Sequence, residues 1–207
     1  MSKLAEFFIG LAIVCLVLVV LTLIAIAIYA KRKKDNIAKL LSSNERGGDF
    51  VYRLIRTAFP ASKTLRSAIL PLDNGQRAMA DLILVDSGGV FVIRVKNFPG
   101  KIDNSNRSVW TVENSKGVGE FPNPFEQNRY AVSAIDGILK REKLLNVPKH
   151  NIVVFTQKRT VFKIRSEKLT TADNLLETIA DLNKNRFLTA KEVSSALTAI
   201  KSHSTYK

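Results

Sequence analysis

Residues 7–30 read FFIGLAIVCLVLVVLTLIAIAIYA, 24 positions without a charge. At about 1.5 Å per residue, a helix of that length crosses a ~30 Å hydrocarbon core with some tilt. Ala25 and Ala27 supply the A-x-A pattern of a cleaved secretory signal, but the apolar part of such a signal spans only about 7–15 residues. This run is longer and ends directly in Lys31-Arg32-Lys33-Lys34. It therefore reads as a retained transmembrane helix, followed by a basic juxtamembrane linker over 31–44. Four cations behind the span, against Lys3, the α-amine and Glu6 before it, direct the C-terminal side to the cytoplasm. The expectation is a single-pass inner-membrane protein with a cytoplasmic C-terminal domain.

Beyond the linker the pattern turns from continuous to periodic. Residues 35–48 have some helical character and close in Asn44-Glu45-Arg46-Gly47-Gly48. Over 49–59, Val51, Leu54, Ile55 and Ala58 recur on one face and Arg53 and Arg56 lie off it, which predicts an amphipathic helix ended by Pro60. Residues 68–72 read as a short strand. Two β-rich runs, 79–85 and 90–96, flank the four turn residues Asp86-Ser87-Gly88-Gly89 and predict a hairpin. Another strand falls at 109–113, while Gly117-x-Gly119 reads as a flexible loop. In Asn123-Pro124-Phe125-Glu126, asparagine is the N-cap, proline the first helical residue and Glu126 the capping-box acid. That helix is expected to reach about Leu145 with Val132, Ile135 and Leu139 inward. Residues 151–156 form a buried strand, and two helices follow, the last begun by Thr189-x-x-Glu192. Alternation of this kind predicts an α/β fold, a mixed central sheet flanked by helices, beside the transmembrane helix.

Composition narrows the chemistry. Of 207 residues 46% are hydrophobic and 24% charged, so a folded core is expected. The single Cys15 allows no internal disulfide, and with only His150 and His203 beside it a structural zinc site is excluded; the same scarcity argues against a Cys–His nucleophile pair. Carboxylates and cations remain. The net charge is +14, and residues 140–168 alone hold nine cations against two acids. Such a cluster suits phosphate backbones or an anionic leaflet, with a plain solvated face as the alternative. Lys158, Arg159, Lys163 and Arg165 are the candidate nucleic-acid contacts.

The hairpin places the most informative side chains. Counting from Val85 opposite Val90, Asp81 faces Arg94, and Lys96 shares the face of Arg94 because residues two apart in a strand point the same way. A slip of one residue would send them to opposite faces. Asp49 is available from the preceding helix. The plain reading of Asp81 and Arg94 is a cross-strand ion pair contributing about 0.2–1 kcal/mol.

Taken in order, Gly47-Gly48-Asp49, the run A-D-L-I-L-V, the run G-G-V-F-V-I-R-V-K-N with Gly100, then Trp110, N-P-F-E-Q with Tyr130, and V-V-F resemble the nuclease-related domain, NERD. The likeness covers residues 45–156 and leaves 157–207 as a basic segment with C-terminal helices. NERD is similar to the PD-(D/E)XK nuclease core, so the resemblance implies a restriction-endonuclease-like sheet, and members often carry an N-terminal transmembrane segment. It also implies roles: Asp49 at the position of the helix acid, Asp81 at that of the metal-binding acid, Lys96 at that of the catalytic lysine, and Gln127 with Tyr130 in a Q-x-x-Y-like feature near the site. In such nucleases two carboxylates hold Mg²⁺, which polarises the phosphate and activates water, while the lysine steadies the developing charge. Here the second acid is replaced by Arg94, a change of two charge units beside a divalent site. Two readings follow. In one, Arg94 lies against Asp81 and leaves a metal-free cleft that binds DNA or other nucleic acid with weak or no hydrolysis. In the other, Glu126 supplies a migrated carboxylate beside Asp81 and the protein is a Mg²⁺-dependent DNA phosphodiesterase.

Overall fold

The computed structural model describes residues 3–59, 63–185 and 187–206. Pro60, the expected helix stop, lies outside them. Helix α1 (Lys3–Ser42) is long and apolar enough to cross a membrane. It does not stop at the basic run: the stretch read as a linker is helical to Ser42. Residues 31–42 contain neither glycine nor proline, so nothing there breaks the helix. Its end comes where the Ser42 and Ser43 hydroxyls donate back to the carbonyls of Lys39 and Leu40. Residues from Asn44 onward form a separate compact unit.

That unit begins with α2 (Gly48–Ala58), which buries Phe50, Val51, Leu54 and Ile55. Phe50 is thus inward, while Ala58, expected inward, is only half-buried. Strands β1 (Thr64–Pro71), β2 (Arg77–Asp86) and β3 (Gly89–Lys96) follow, then β4 (Gly100–Asp103), β5 (Val109–Asn114) and β6 (Gly117–Pro122). Helix α3 (Pro124–Arg141) leads to β7 (Lys149–Phe155), β8 (Thr160–Phe162) and β9 (Leu169–Thr171). The described chain closes with α4 (Leu175–Leu182), α5 (Ala190–Ser202) and β10 (Thr205–Tyr206).

Two mixed sheets result. The larger has the order β10-β1-β2-β3-β7-β9, antiparallel at its β1–β2–β3 side and parallel from β3 through β7 to β9. One hydrophobic cluster joins it to α3 and α5 through Val92, Ile135, Ile138, Ala196 and Ile200. The β2–β3 turn has two residues rather than four, because Asp86 and Gly89 pair in the ladder. Only glycine fits at 89: φ is 124°, and an added Cβ would lie 2.3 Å from the Pro148 carbonyl. That close approach lets Val90 donate its N–H to the same carbonyl at 2.8 Å and start the parallel β3–β7 pairing.

Sheet β6-β5-β4-β8 goes beyond the single strand expected there. Gly117 and Gly119 are not in a flexible loop; they pair with Asn114 and Val112. Beneath lie Ile102, Trp110, Val153 and Phe155, with Phe98, Phe121, Phe125 and Phe162 packed around them. Four edge-on ring pairs with centroids 5.0–5.9 Å apart hold this cluster.

Helix α3 differs from expectation at both ends. Asn123 caps it by accepting the Phe125 N–H at 2.9 Å, but its own N–H already donates to the Ser108 carbonyl at 2.8 Å. With that donor occupied, Glu126 closes no capping box. At the C-terminus Lys143 takes φ 59°, Lys143 N–H reaches the Lys140 carbonyl and Leu144 N–H the Leu139 carbonyl, a Schellman closure that stops the helix at Arg141 rather than near Leu145. The capping box at Thr189 and Glu192 forms as expected and starts α5.

Candidate functional site

Asp81 sits at a double break in the sheet. β1 and β2 pair from Thr64 with Leu84 to Arg66 with Leu82, and again from Ala68 with Ala80 to Pro71 with Arg77. The interruption is Ser67 opposite Asp81. Ser67 has φ 50°, in the left-handed region that a serine adopts at a cost. The inward alternation shifts by one at the same point: Ile83 and Val85 join the cluster under α3 and α5 beyond Asp81, and Ala78 and Ala80 join it before. The β2–β3 ladder also stops there, its last pair being Leu82 with Ile93.

The Asp81 carboxylate fills the gap left by these ladders. Its Oδ2 accepts the Val95 N–H at 2.8 Å and its Oδ1 accepts Arg94 Nη1 at 2.9 Å. Arg94 Nη2 continues to the Met79 carbonyl at 2.9 Å. The facing of Asp81 and Arg94 expected from strand register is present, made by side chains past the end of the ladder. Both are largely buried, with side chains 22% and 13% exposed.

Lys96 lies on the α3 side, where its Nζ donates to Gln127 Oε1 at 3.0 Å and sits 6.0 Å from the centre of the Phe121 ring. Burial pulls the Lys96 pKa below the ordinary lysine value; repulsion from Arg94 adds to that and attraction to Asp81 opposes it. Gln127 reaches this point because the Asn123-Pro124 start fixes the first turn of α3. Tyr130, one turn on, is exposed.

Asp49 stands in the first turn of α2 and pairs with Arg66 Nη1 at 2.8 Å. Asp49, Arg66, Ser67, Asp81 and Asn97 line a common recess of about 290 Å³. Arg94 and Lys96 are not part of its lining. The start of α2 is held by Gly47, whose φ of 90° requires glycine and whose N–H donates to Thr156 Oγ1 at 3.1 Å. Thr156 Oγ1 and Gln157 Nε2 both donate to Asn97 Oδ1, at 2.7 and 2.9 Å. This relay joins the helix start to the carboxyl ends of the parallel strands β3 and β7. Sequence reasoning missed Arg66, Ser67, Thr156 and Asn97 as site residues. Asn97 and Thr156 had a signal, each following the last residue of a strand, whereas Arg66 and Ser67 emerge only from the β1–β2 register.

The residues present do not fit Mg²⁺. Such an ion needs several oxygen donors unoccupied by cations. Asp49 is bound by Arg66, and Asp81 by Arg94 and a backbone N–H. Among the described residues no three Asp, Glu, His or Cys side chains gather in an arrangement that would hold a metal. Glu126 pairs with Arg129 at 2.8 Å on the α3 surface and does not line the recess.

The four candidate cations divide into two pairs. Lys158 and Arg159 line a second recess of about 530 Å³ together with Asn44, Arg46, Pro99 and Gln157. Lys163 pairs with Asp103 at 2.7 Å, and Arg165 is exposed farther along. Hydrogen bonds from Lys163 and then Ser105 hold the Asp103 carboxyl down to about 2.

The family model described as nuclease-related domain, NERD, matches residues 31–156, more than half of the chain. The chain belongs to the NERD family. That match reaches back into the basic part of α1, earlier than the start at residue 45 expected from the motifs. A Bacillus anthracis protein described as uncharacterized is 29% identical over 98 residues, 46% of this chain and 46% of its own length. The NERD chain thus spans about half of that relative. No solved structure matches it significantly.

Proposed function

We propose that this NERD protein is anchored in the inner membrane by α1 and that its cytoplasmic domain binds nucleic acid through a degenerate PD-(D/E)XK-like cleft without hydrolysing it. The observation that carries this reading is the Arg94–Asp81 pair: a guanidinium takes up the carboxylate that a metal-dependent nuclease needs free. The same substitution adds positive charge beside the recess, where Arg66 is half exposed, and Lys158 and Arg159 stand exposed on the same domain. A phosphodiester backbone is the ligand class that rewards such charge without demanding base-specific contacts.

Binding by the full chain in detergent should show little sequence preference and a steep salt dependence. The slope of log K against log salt is about −0.9 per phosphate neutralised on duplex DNA. Neutralising Lys158, Arg159, Lys163 and Arg165 together should flatten that slope, and Lys163 should contribute least because Asp103 already holds it. An unchanged slope would remove these four residues from the contact surface. Incubation of wild type with Mg²⁺ or Mn²⁺ should leave the DNA intact.

For the anchor, the cationic excess behind the span supports a cytoplasmic domain. Protease added outside intact spheroplasts should leave residues from 44 onward whole. Digestion from outside would reverse the topology.

A further inference from the structure

Of the four outer strands of the two sheets, β8, β9 and β10 have only two or three residues each, too short to template pairing with another chain. β6 is the exception. It has six residues, Gly117–Pro122, in register with β5 along its whole length, and residues 117–120 are exposed. Val118, 73% exposed, is the most exposed large hydrophobic side chain among the described residues of the compact unit.

The hairpin geometry decides which backbone groups are left over. Asn114 and Gly117 pair across a two-residue turn, so Gly117, Gly119 and Phe121 exchange their hydrogen bonds with β5. Val118 and Glu120 therefore turn their N–H and C=O groups away from β5, to the open side. Among the described residues no other backbone group bonds to them. The window is short, because Pro122 has no N–H to offer and the Lys116 N–H already donates to Asn114 Oδ1 at 2.9 Å.

The charges of this window fit a second copy of the same strand. In an antiparallel pair centred on Val118, the two Val118 residues face each other and exchange backbone bonds, and each Lys116 comes opposite Glu120 of the other copy. Centred on Glu120, two carboxylates would meet. Centred on Gly119, Lys116 would face Pro122 and Glu120 would face Val118, so no charge would be matched. Lys116 and Glu120 have no ion pair of their own among the described residues, and opposite charges directly across a strand pair are favourable. The contact is also isologous, the form that closes most homodimers.

We propose that β6 is a pairing edge for a second copy of this chain: two copies join antiparallel at Val118, Lys116 against Glu120, and merge their four-stranded sheets into one of eight strands. Pairing of this kind needs no nucleic acid.

Disulfide trapping tests the edge in the full chain in detergent, with Cys15→Ala removing the native thiol. Directly opposed residues of a hydrogen-bonded antiparallel pair have Cα atoms about 5.5 Å apart, within disulfide reach. After oxidation with copper phenanthroline, Val118→Cys should give a covalent dimer of twice 23.0 kDa. Val161→Cys, 63% exposed on β8, should not. In the Val118→Cys chain, Lys116→Glu alone or Glu120→Lys alone should lower the dimer yield about tenfold, because each sets like charges against each other at two places. The exchange Lys116→Glu/Glu120→Lys should restore it. Both side chains are exposed, so neither reversal disturbs the folded chain. No dimer at Val118→Cys, or an equal yield at Val161→Cys, would overturn the pairing edge. A yield indifferent to both reversals would give the association to another surface and overturn it equally.

Discussion

Arg94→Glu is expected to create a Mg²⁺-dependent rise in melting temperature that the wild-type NERD protein lacks. The substitution places a second carboxylate opposite Asp81 while Asp81 Oδ2 keeps the Val95 N–H, so two oxygen-bearing groups converge where one ion pair stood. Without divalent ion the variant should be less stable than wild type, because an attractive pair becomes two like charges. Mg²⁺ binds only the assembled site, and at 100 times its dissociation constant it returns about 2.7 kcal/mol. Melting curves of the full chain in detergent, with and without Mg²⁺, test both halves of the argument. A wild-type melting temperature that climbs with Mg²⁺, or metal-dependent nicking that disappears in Asp81→Ala, would sink the metal-free cleft and favour a Mg²⁺-dependent phosphodiesterase.

The Asp81–Arg94 contact was legible because a hairpin converts counting into geometry. Val85 opposite Val90 sets every later pair, and an error of two in the turn length left that register intact. Ser67 was not legible: nothing in its neighbourhood marks a left-handed serine, which follows from how β1 and β2 kink together. The second sheet escaped for a related reason. Its strands are three to six residues long, and their inward residues meet an aromatic cluster drawn from Phe98 to Phe162, so no local period announces them. Charge was legible as an amount but not as a surface. Lys158 and Lys163 look alike in sequence, yet Asp103, 60 residues before Lys163, takes up that cation, while Arg46, more than a hundred residues away, joins Lys158. Helix ends follow the same logic, since a distant carbonyl, Ser108, holds the N–H that the Glu126 box would need and Arg129 holds the Glu126 carboxylate.

Asp81→Ala is expected to be among the most destabilising polar substitutions in the domain, and the reason lies as much in what it leaves behind as in what it removes. Taking one partner from a fully buried ion pair costs about 3–5 kcal/mol, because the other charge stays desolvated. With side chains 13% and 22% exposed, this pair should lose somewhat less, roughly 2–3 kcal/mol. Arg94 would retain the Met79 carbonyl alone, its Nε having no partner among the described residues, and the Val95 N–H would lose its acceptor. Asp81→Asn keeps an acceptor for Val95 and should fall between the two. The decisive variant is Asp81→Ala with Arg94→Met, which fills much of the guanidinium's path and strands no charge. It should lie within about 1.5 kcal/mol of wild type in urea unfolding, far from the sum of the single changes. A double variant no more stable than Asp81→Ala would place the cost in the broken ladder at Val95 rather than in the stranded guanidinium, and Asp81 would then be a clamp on the splayed strands before it is anything else.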